Sequence, residues 1–413
     1  MNAMTRADFE KLDREDPLAA FRQEFHIPPG VIYMDGNSLG AMPKAVLRRV
    51  REVTEREWAD NLIKSWNTAD WFNAPQRIGD KIAPIIGADK GETVATDSTS
   101  INLFKALSAA LRINSDRSVI VMEGSNFPTD NYIAQGLVEF LGQQHQIRFV
   151  EKDGIMDALE DSVAVVSLTD VHYKTGHRLD MHAITARAHQ QGALTVWDLC
   201  HSAGAVPLDL NGANADFAVG CGYKYLNGGP GAPGFIFVAK RHQDHVKQPL
   251  TGWWSHSAPF DFTRDYEIGA GISRMLCGTQ PIISLCALEV GVDIMARADI
   301  VKIREKSQKM GDLFLGAVEQ KCADYNFGIA SPRNADERGS QVSLTHENGY
   351  AIMQALIEQG VIGDFRAPEI LRFGFTPLYL RYADIWDAVD ILADIMANEI
   401  WQDPKYHVRA AVT

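Results

Sequence analysis

Residues 216–226 read Asp216-Phe217-Ala218-Val219-Gly220-Cys221-Gly222-Tyr223-Lys224-Tyr225-Leu226. An apolar, small-residue run ends in a lysine set among tyrosines and glycines. Most lysines at strand ends carry their ammonium to water on an apolar stem. A desolvated one has a lowered pKa and acts as a Schiff-base nucleophile and proton carrier. Both readings fit this stretch alone, and in both the apolar residues form a strand. Apolar residues that do not alternate with polar ones suggest a strand covered on both faces, as in a parallel sheet.

The next strand upstream sharpens the choice. Leu194-Thr195-Val196-Trp197-Asp198-Leu199-Cys200-His201 ends its apolar run in an acid and a histidine. A buried carboxylate is costly unless paired, so Asp198 needs a cationic partner. A nearby Arg or His is one candidate. The other is the pyridinium nitrogen of pyridoxal phosphate (PLP), which a carboxylate keeps protonated so that the ring acts as an electron sink.

Further out, apolar runs at 93–96, 119–122, 147–150, 163–168 and 235–238 alternate with helical patterns. That alternation predicts a mostly parallel α/β sheet. Helices are expected over 44–61, with Val46, Leu47, Val50, Val53 and Trp58 on one face, and over 73–86 and 130–141. Asp97-Ser98-Thr99-Ser100 opens another. Free N–H groups there favour an anion at Thr99 and Ser100, although simple N-capping by Asp97, Ser98 or Thr99 is common. Phe127-Pro128-Thr129-Asp130 follows a strand and offers an aromatic face beside an acid, or a packed loop aromatic. After about residue 281 come two long helices (281–297 and 300–322), a strand at 340–344, a helix at 349–359, a strand around Leu371-Arg372-Phe373 and a last helix. The expected division is an N-terminal arm (1–50) joining the small domain, a large domain (51–290) and a small α+β domain (291–413).

Composition narrows the partners. The chain has 413 residues and a formal charge of −13, from 40 Lys and Arg against 53 Asp and Glu. Neither nucleic acid nor an anionic membrane surface suits that balance. No apolar run approaches the ~18 residues of a spanning helix. The polar N-terminus lacks the apolar stretch of a signal peptide. Five cysteines without paired spacing suggest reduced thiols and a cytoplasmic setting, with no metal site. His242 and His245 stand in a charged stretch that reads as solvated surface. Gly229-Pro230-Gly231-Ala232-Pro233-Gly234 matches G-x-G-x-x-G but runs into a strand rather than a helix. It is expected to be a turn, not a dinucleotide fingerprint, which disfavours an NAD oxidoreductase.

Over essentially its full length the chain resembles the kynureninases, fold-type I PLP enzymes of the aminotransferase class V group. The resemblance rests on Gly36-Asn37-Ser38-Leu39-Gly40, Phe127-Pro128-Thr129-Asp130, Asp198-Leu199-Cys200-His201, Tyr223-Lys224-Tyr225-Leu226-Asn227 and Gly252-Trp253-Trp254. It implies an aspartate aminotransferase-like fold and hydrolysis of L-kynurenine to anthranilate and L-alanine. The 3-hydroxylated substrate is a further candidate, within tryptophan catabolism or NAD biosynthesis. It implies Lys224 as the Schiff-base lysine, Asp198 as partner of the pyridinium nitrogen and Phe127 stacked on the ring. Asp130 and His201 would hold the cofactor's polar edge, and Thr169 would be another contact. Thr99, Ser100 and Tyr223 would bind the phosphate, joined by Trp253 and Thr279 of a second copy in a homodimer with shared sites. Arg372 would take the substrate α-carboxylate, with Asn37 also at the substrate. Trp66, Gly278 and Thr279 match the bacterial pattern that favours unsubstituted kynurenine. Lys224 would move the Cα proton, with Tyr223 as proton relay and Ser38 as its assistant. A cysteine desulfurase would need a cysteine in a flexible polar loop, and none of the five is so placed. A non-catalytic PLP-binding regulator would not need the Lys, Asp, Arg and Tyr set.

Overall fold

In the computed structural model, which describes residues 4–142 and 144–409, the apolar runs become strands of one seven-stranded sheet. In chain order these are β1 (Thr93–Ala95), β2 (Val119–Glu123), β3 (Gln146–Val150), β4 (Val163–Thr169), β5 (Leu194–Asp198), β6 (Phe217–Cys221) and β7 (Gly234–Val238). Their spatial order is 1-7-6-5-4-2-3. The pairs from β3 through β6 are all parallel, whereas β7 is antiparallel to both β6 and β1. Every residue of β1, β2, β4, β5, β6 and β7 is buried, as expected of strands covered on both faces. Two reversals, at β6–β7 and β7–β1, leave β1 running the same way as β2–β6. The C-terminal ends of these six strands therefore share one edge of the sheet.

The helices follow their strands. α1 (Thr99–Ile113) and α2 (Pro128–Phe140) come after β1 and β2, and α3 (Met181–Gln190) lies between β4 and β5. Leu103 and Leu107 of α1 pack in one core with Val94, Ile120, Val196, Phe217 and Ile236. α4 (Ile282–Arg297) closes this unit, which comprises Ala45–Asp170 and Leu179–Arg297. Gly229 and Gly231 have φ of +87° and +71° in the connection from β6 to the antiparallel β7. The G-x-G-x-x-G match is thus a turn, as its prolines require.

A second compact unit comprises the residues up to Lys44, Val171–Arg178, and those from Ala298 onward. It contains α5 (Ile300–Lys321), α6 (Gly349–Glu358) and α7 (Tyr382–Ala397). Its antiparallel sheet is formed by β8 (Gly328–Ile329), β9 (Gln341–Thr345), β10 (Asp364–Arg366) and β11 (Ile370–Gly374), in the order β10-β11-β9-β8. Phe314 of α5 packs on Phe373 of β11 at 4.8 Å between ring centroids. No sequence signal set 171–178 apart.

The helix expected over 44–61 departs from its reading. It is α-helical over Lys44–Glu52 and then widens to a π-helix over Val53–Asp60. Of its supposed buried face only Val53 is buried, and Leu47 and Trp58 are 64% and 59% exposed. The change of pitch rotates Trp58 off the face that a 3.6-residue period assigns to it.

Candidate active site

In a parallel sheet, ligands bind where strands end and loops splay apart. At the shared edge, β1 leads to Thr99 and Ser100, β2 to Phe127 and Asp130, β5 to Asp198 and His201, and β6 to Tyr223 and Lys224, with Thr169 ending β4. Residues spread over 126 positions of sequence thus converge because six strands point one way.

Lys224 follows β6 by three residues, and His201 follows β5 by three. These neighbouring parallel strands bring Lys224 Nζ to 2.9 Å from His201 Nε2. The lysine loop closes on itself. Asn227 N–H donates to the Lys224 carbonyl, and Gly228 N–H donates to that of Gly222. A Cβ on Gly222 would sit 2.4 Å from the Pro233 oxygen, and one on Gly228 would sit 2.7 Å from the Gly222 oxygen. The small residues around Lys224 are therefore steric necessities. The Tyr223 phenol is held well above its ordinary pKa, first by burial and then by Cys221, Cys200 and Asp198, so it keeps its proton at neutral pH.

Behind the lysine runs a buried polar chain. Thr169 Oγ1 donates to Asn126 Oδ1 at 2.6 Å, and Asn126 Nδ2 donates to Asp130 Oδ2 at 3.0 Å. The Asp130 carboxyl hydrogen-bonds Asp198, and Asp198 accepts from the Cys200 N–H at 2.7 Å. Thr169 and Asp198 are register partners on β4 and β5. Burial, and then the Asp198 charge, push Asp130 well above the carboxylate range, so Asp130 enters this pair as a proton donor. Asp198 forms no ion pair with a basic side chain among the described residues.

α1 begins at the same sheet edge. Ser98 is its N-cap and accepts from Ile101 N–H, and Thr99 Oγ1 lies 3.5 Å from Cys200 Sγ. A Cβ on Gly234 would stand 3.1 Å from the Thr99 nitrogen, so the glycine leaves the helix N-terminus uncovered. Phe127 takes the N-cap position of α2 with its ring 42% exposed.

Trp66, Trp253, Gly278 and Thr279 form a group of their own in the large unit. Trp66 packs against Trp253 and Trp254 at 6.4 and 5.4 Å, and Trp254 N–H donates to the Cys277 carbonyl. Gly278 has open space where a Cβ would point, and Thr279 is exposed.

The small unit holds the other three expected residues together. Arg372 is buried on β11, donating to the Tyr173 carbonyl at 2.8 Å, to Ser38 Oγ at 2.6 Å and to Asp364. Asn37 is buried in the same cluster.

His242 corrects the sequence reading. It is not solvated surface, because its Nε2 lies 2.7 Å from the buried Asp216 carboxylate. The same carboxylate also meets His189, Arg241 and the Thr195 N–H. Sequence reasoning also missed Asn126, Asp35 and Asp364. Asn126 directly precedes the Phe127-Pro128 motif, and a polar residue just past a buried strand was the signal. A cavity of about 410 Å³ lined by Arg112, Arg117 and Lys247 lies at the opposite sheet edge, where β2 begins, away from this chemistry.

Comparison with known proteins decides the family. A family model described as the kynureninase C-terminal domain matches residues 303–392. A kynureninase of Burkholderia pseudomallei is 53% identical over 99% of this chain and 100% of its own. The chain belongs to the kynureninase family. Among solved structures, a cysteine desulfurase from Thermococcus onnurineus aligns with TM-score 0.76 at 19% identity, covering 96% of this chain and 100% of its own. A C-DES mutant carrying glycine covalently linked to its PLP cofactor aligns at 0.78 and 17%, covering 90% and 99%. At such identities these neighbours show the fold alone, that of fold-type I PLP enzymes, and give no support to desulfurase chemistry here.

The residues present fit PLP. Among the described residues, Asp198 is a buried carboxylate with no basic side chain in an ion pair to it, which a pyridinium N–H answers. The helix N-terminus beside Gly234 suits a phosphate. Lys224 is a partly buried amine held 2.9 Å from a ring nitrogen of His201.

Proposed function

We infer that the chain hydrolyses the Cβ–Cγ bond of L-kynurenine to anthranilate and L-alanine, using PLP, as its family membership implies. The observation that carries the site assignment is Lys224 Nζ at 2.9 Å from His201, one strand away from a carboxylate that no basic side chain pairs. When bound, PLP supplies an electron sink for the electrons released at the substrate's Cα.

The chain's own groups divide the remaining work. Asp198 faces the ring nitrogen, and Asp130, holding its proton, fixes the orientation of Asp198. Thr99, Ser100 and Tyr223 would take the phosphate, Phe127 would stack on the ring, Asp130 and His201 would hold its polar edge, and Thr169 would be a further contact. Lys224, the amine that would hold the cofactor, would also serve as the base that moves the Cα proton. Tyr223, kept protonated by burial, donates its proton near the γ-carbonyl. Ser38 is held between Arg372 and Asp364, which suits assistance at the substrate end. Arg372 takes the α-carboxylate, since a planar guanidinium matches that anion. Asn37, Trp66 and Gly278 shape the substrate site for unsubstituted kynurenine. The active form is a cytoplasmic homodimer in which Trp253 and Thr279 of each copy complete the phosphate site of the other.

Adding L-kynurenine to PLP-loaded protein should release anthranilate, read by its fluorescence, and Lys224→Ala should abolish the signal. Protein that binds PLP but releases no anthranilate would overturn the reading.

A further inference from the structure

The small unit carries more charge around Arg372 than holding one guanidinium requires. Antiparallel register sets Asp364 of β10 directly opposite Arg372 of β11. Asp364 accepts from Arg372 and from Ser38 Oγ (3.2 Å), and its Oδ2 lies 2.6 Å from Arg366 Nη2. A second carboxyl, Asp35, reaches the same guanidinium less closely, at 3.7 Å from Nη2. Oriented to satisfy both its ends, the Asn37 amide donates to Asp35 (3.2 Å) and accepts from Arg372 Nε (3.2 Å). Two carboxyls and an amide thus surround a guanidinium whose side chain is only 2% exposed.

With both carboxyls ionised, the charges of Arg372, Arg366, Asp35 and Asp364 sum to zero. A carboxylate arriving at Arg372 then adds an unbalanced negative charge in a buried place, which is expensive. Asp364 is clamped by two guanidinium groups and a hydroxyl. Asp35 is the looser acid, and taking up one proton restores neutrality without breaking the clamp.

We propose that Asp35 is a positioning residue for the amino-acid substrate, taking up a proton as a carboxylate binds at Arg372. The proposal rests on the reading of Arg372 as the carboxylate site. Burial, and then the Asp364 charge, hold Asp35 at about 7 even with Arg372 nearby. The other groups facing it are the Ser38 hydroxyl, which hydrogen-bonds it and works against the rise, Arg366, and the neutral phenols of Tyr33 and Tyr379. Because the protonated form accepts the anion, carboxylate affinity falls as pH rises through this range, by at most about tenfold per pH unit for one linked proton.

Calorimetry on the PLP-loaded enzyme tests this, with 3-benzoylpropanoate as the probe, which has a carboxylate and a γ-carbonyl but no amine. Titrations at pH 7 in two buffers of different ionisation enthalpy give the number of protons taken up. Wild type should take up about half a proton, while Asp35→Asn should take up none and bind with little dependence on pH from 6 to 8. Equal uptake in both proteins would overturn the proposal. Infrared difference spectra of wild type alone give a second reading: probe binding should raise the carboxylic-acid C=O stretch, and no rise would also overturn it. Arg372→Lys separates the two levels. Unchanged probe affinity there would remove the carboxylate site itself. Weakened affinity together with unchanged uptake in Asp35→Asn would remove only the role of Asp35.

Discussion

Tyr223 and Asp130 show how burial sets function one residue at a time. Burial raises the pKa of both, and neighbouring groups add to it: Cys221, Cys200 and Asp198 for the phenol, and Asp198 for the carboxyl, which holds the proton of their shared hydrogen bond. Tyr223→Phe removes the hydroxyl, and with it both the proton and the proposed phosphate contact. At saturating PLP it should slow anthranilate release by about 10²-fold or more, the scale of general acid catalysis and well beyond any loss of PLP binding. Near wild-type turnover at saturating PLP would contradict that role. The sequence reached Lys224 and Asp198 because a charged residue closing a fully apolar strand is conspicuous. Asp35 and Asp364 escaped it, since their meaning depends on Arg372: strand pairing sets Asp364 opposite it, and Asp35 reaches it from over 300 positions away. Asn126 escaped because an amide carries no charge to account for.

Elements impose their own limits. α4 passes so close to the lysine loop that a Cβ on Gly291 would lie 2.1 Å from the Leu226 oxygen and 2.9 Å from Asn227. Gly291→Ala should push that loop, lowering stability by about 1–3 kcal/mol, the usual cost of overpacking, and weakening PLP retention on dialysis. Unchanged retention and unfolding midpoint would show that the helix moves freely instead. Asp216, at the start of β6, ties three basic side chains to the strand. Burial alone would raise its pKa, but His189 and His242 hold it below the usual range. A depressed carboxyl gives stability that is present above its unfolded pKa of ~3.9 and lost as pH falls through the lower folded value. Asp216→Asn should therefore cost about 3–5 kcal/mol in denaturant unfolding at pH 7, with the difference from wild type narrowing in acid. Apolar periodicity located most helices, yet it misassigned Trp58, because the π-helix over Val53–Asp60 breaks the 3.6-residue count on which it depends. Leu47 is exposed within the regular α-helical part, where the pitch does not explain it.

At the scale of the molecule, one sheet edge explains why residues from 99 to 224 share a site. The alternation of apolar strands and helices made that edge legible before any side chain was placed. The excursion of 171–178 into the small unit was not legible, because it carries no change of composition. The net charge of −13 does not describe the sites expected to take anions, which are Arg372 for a carboxylate and the N-terminus of α1 for a phosphate. The homodimer is tested by sedimentation equilibrium, which should give twice the 45.7 kDa chain mass. A fully active species of single-chain mass would exclude shared sites.

The central claim is that Lys224 is the residue that binds PLP in a kynurenine-hydrolysing site. Borohydride reduction of the PLP-loaded protein, followed by peptide mass mapping, tests it most directly. The reduced cofactor should be found on the peptide containing Tyr223-Lys224-Tyr225, with anthranilate release lost in parallel. Label on any other lysine, or full activity after stoichiometric reduction, would contradict it.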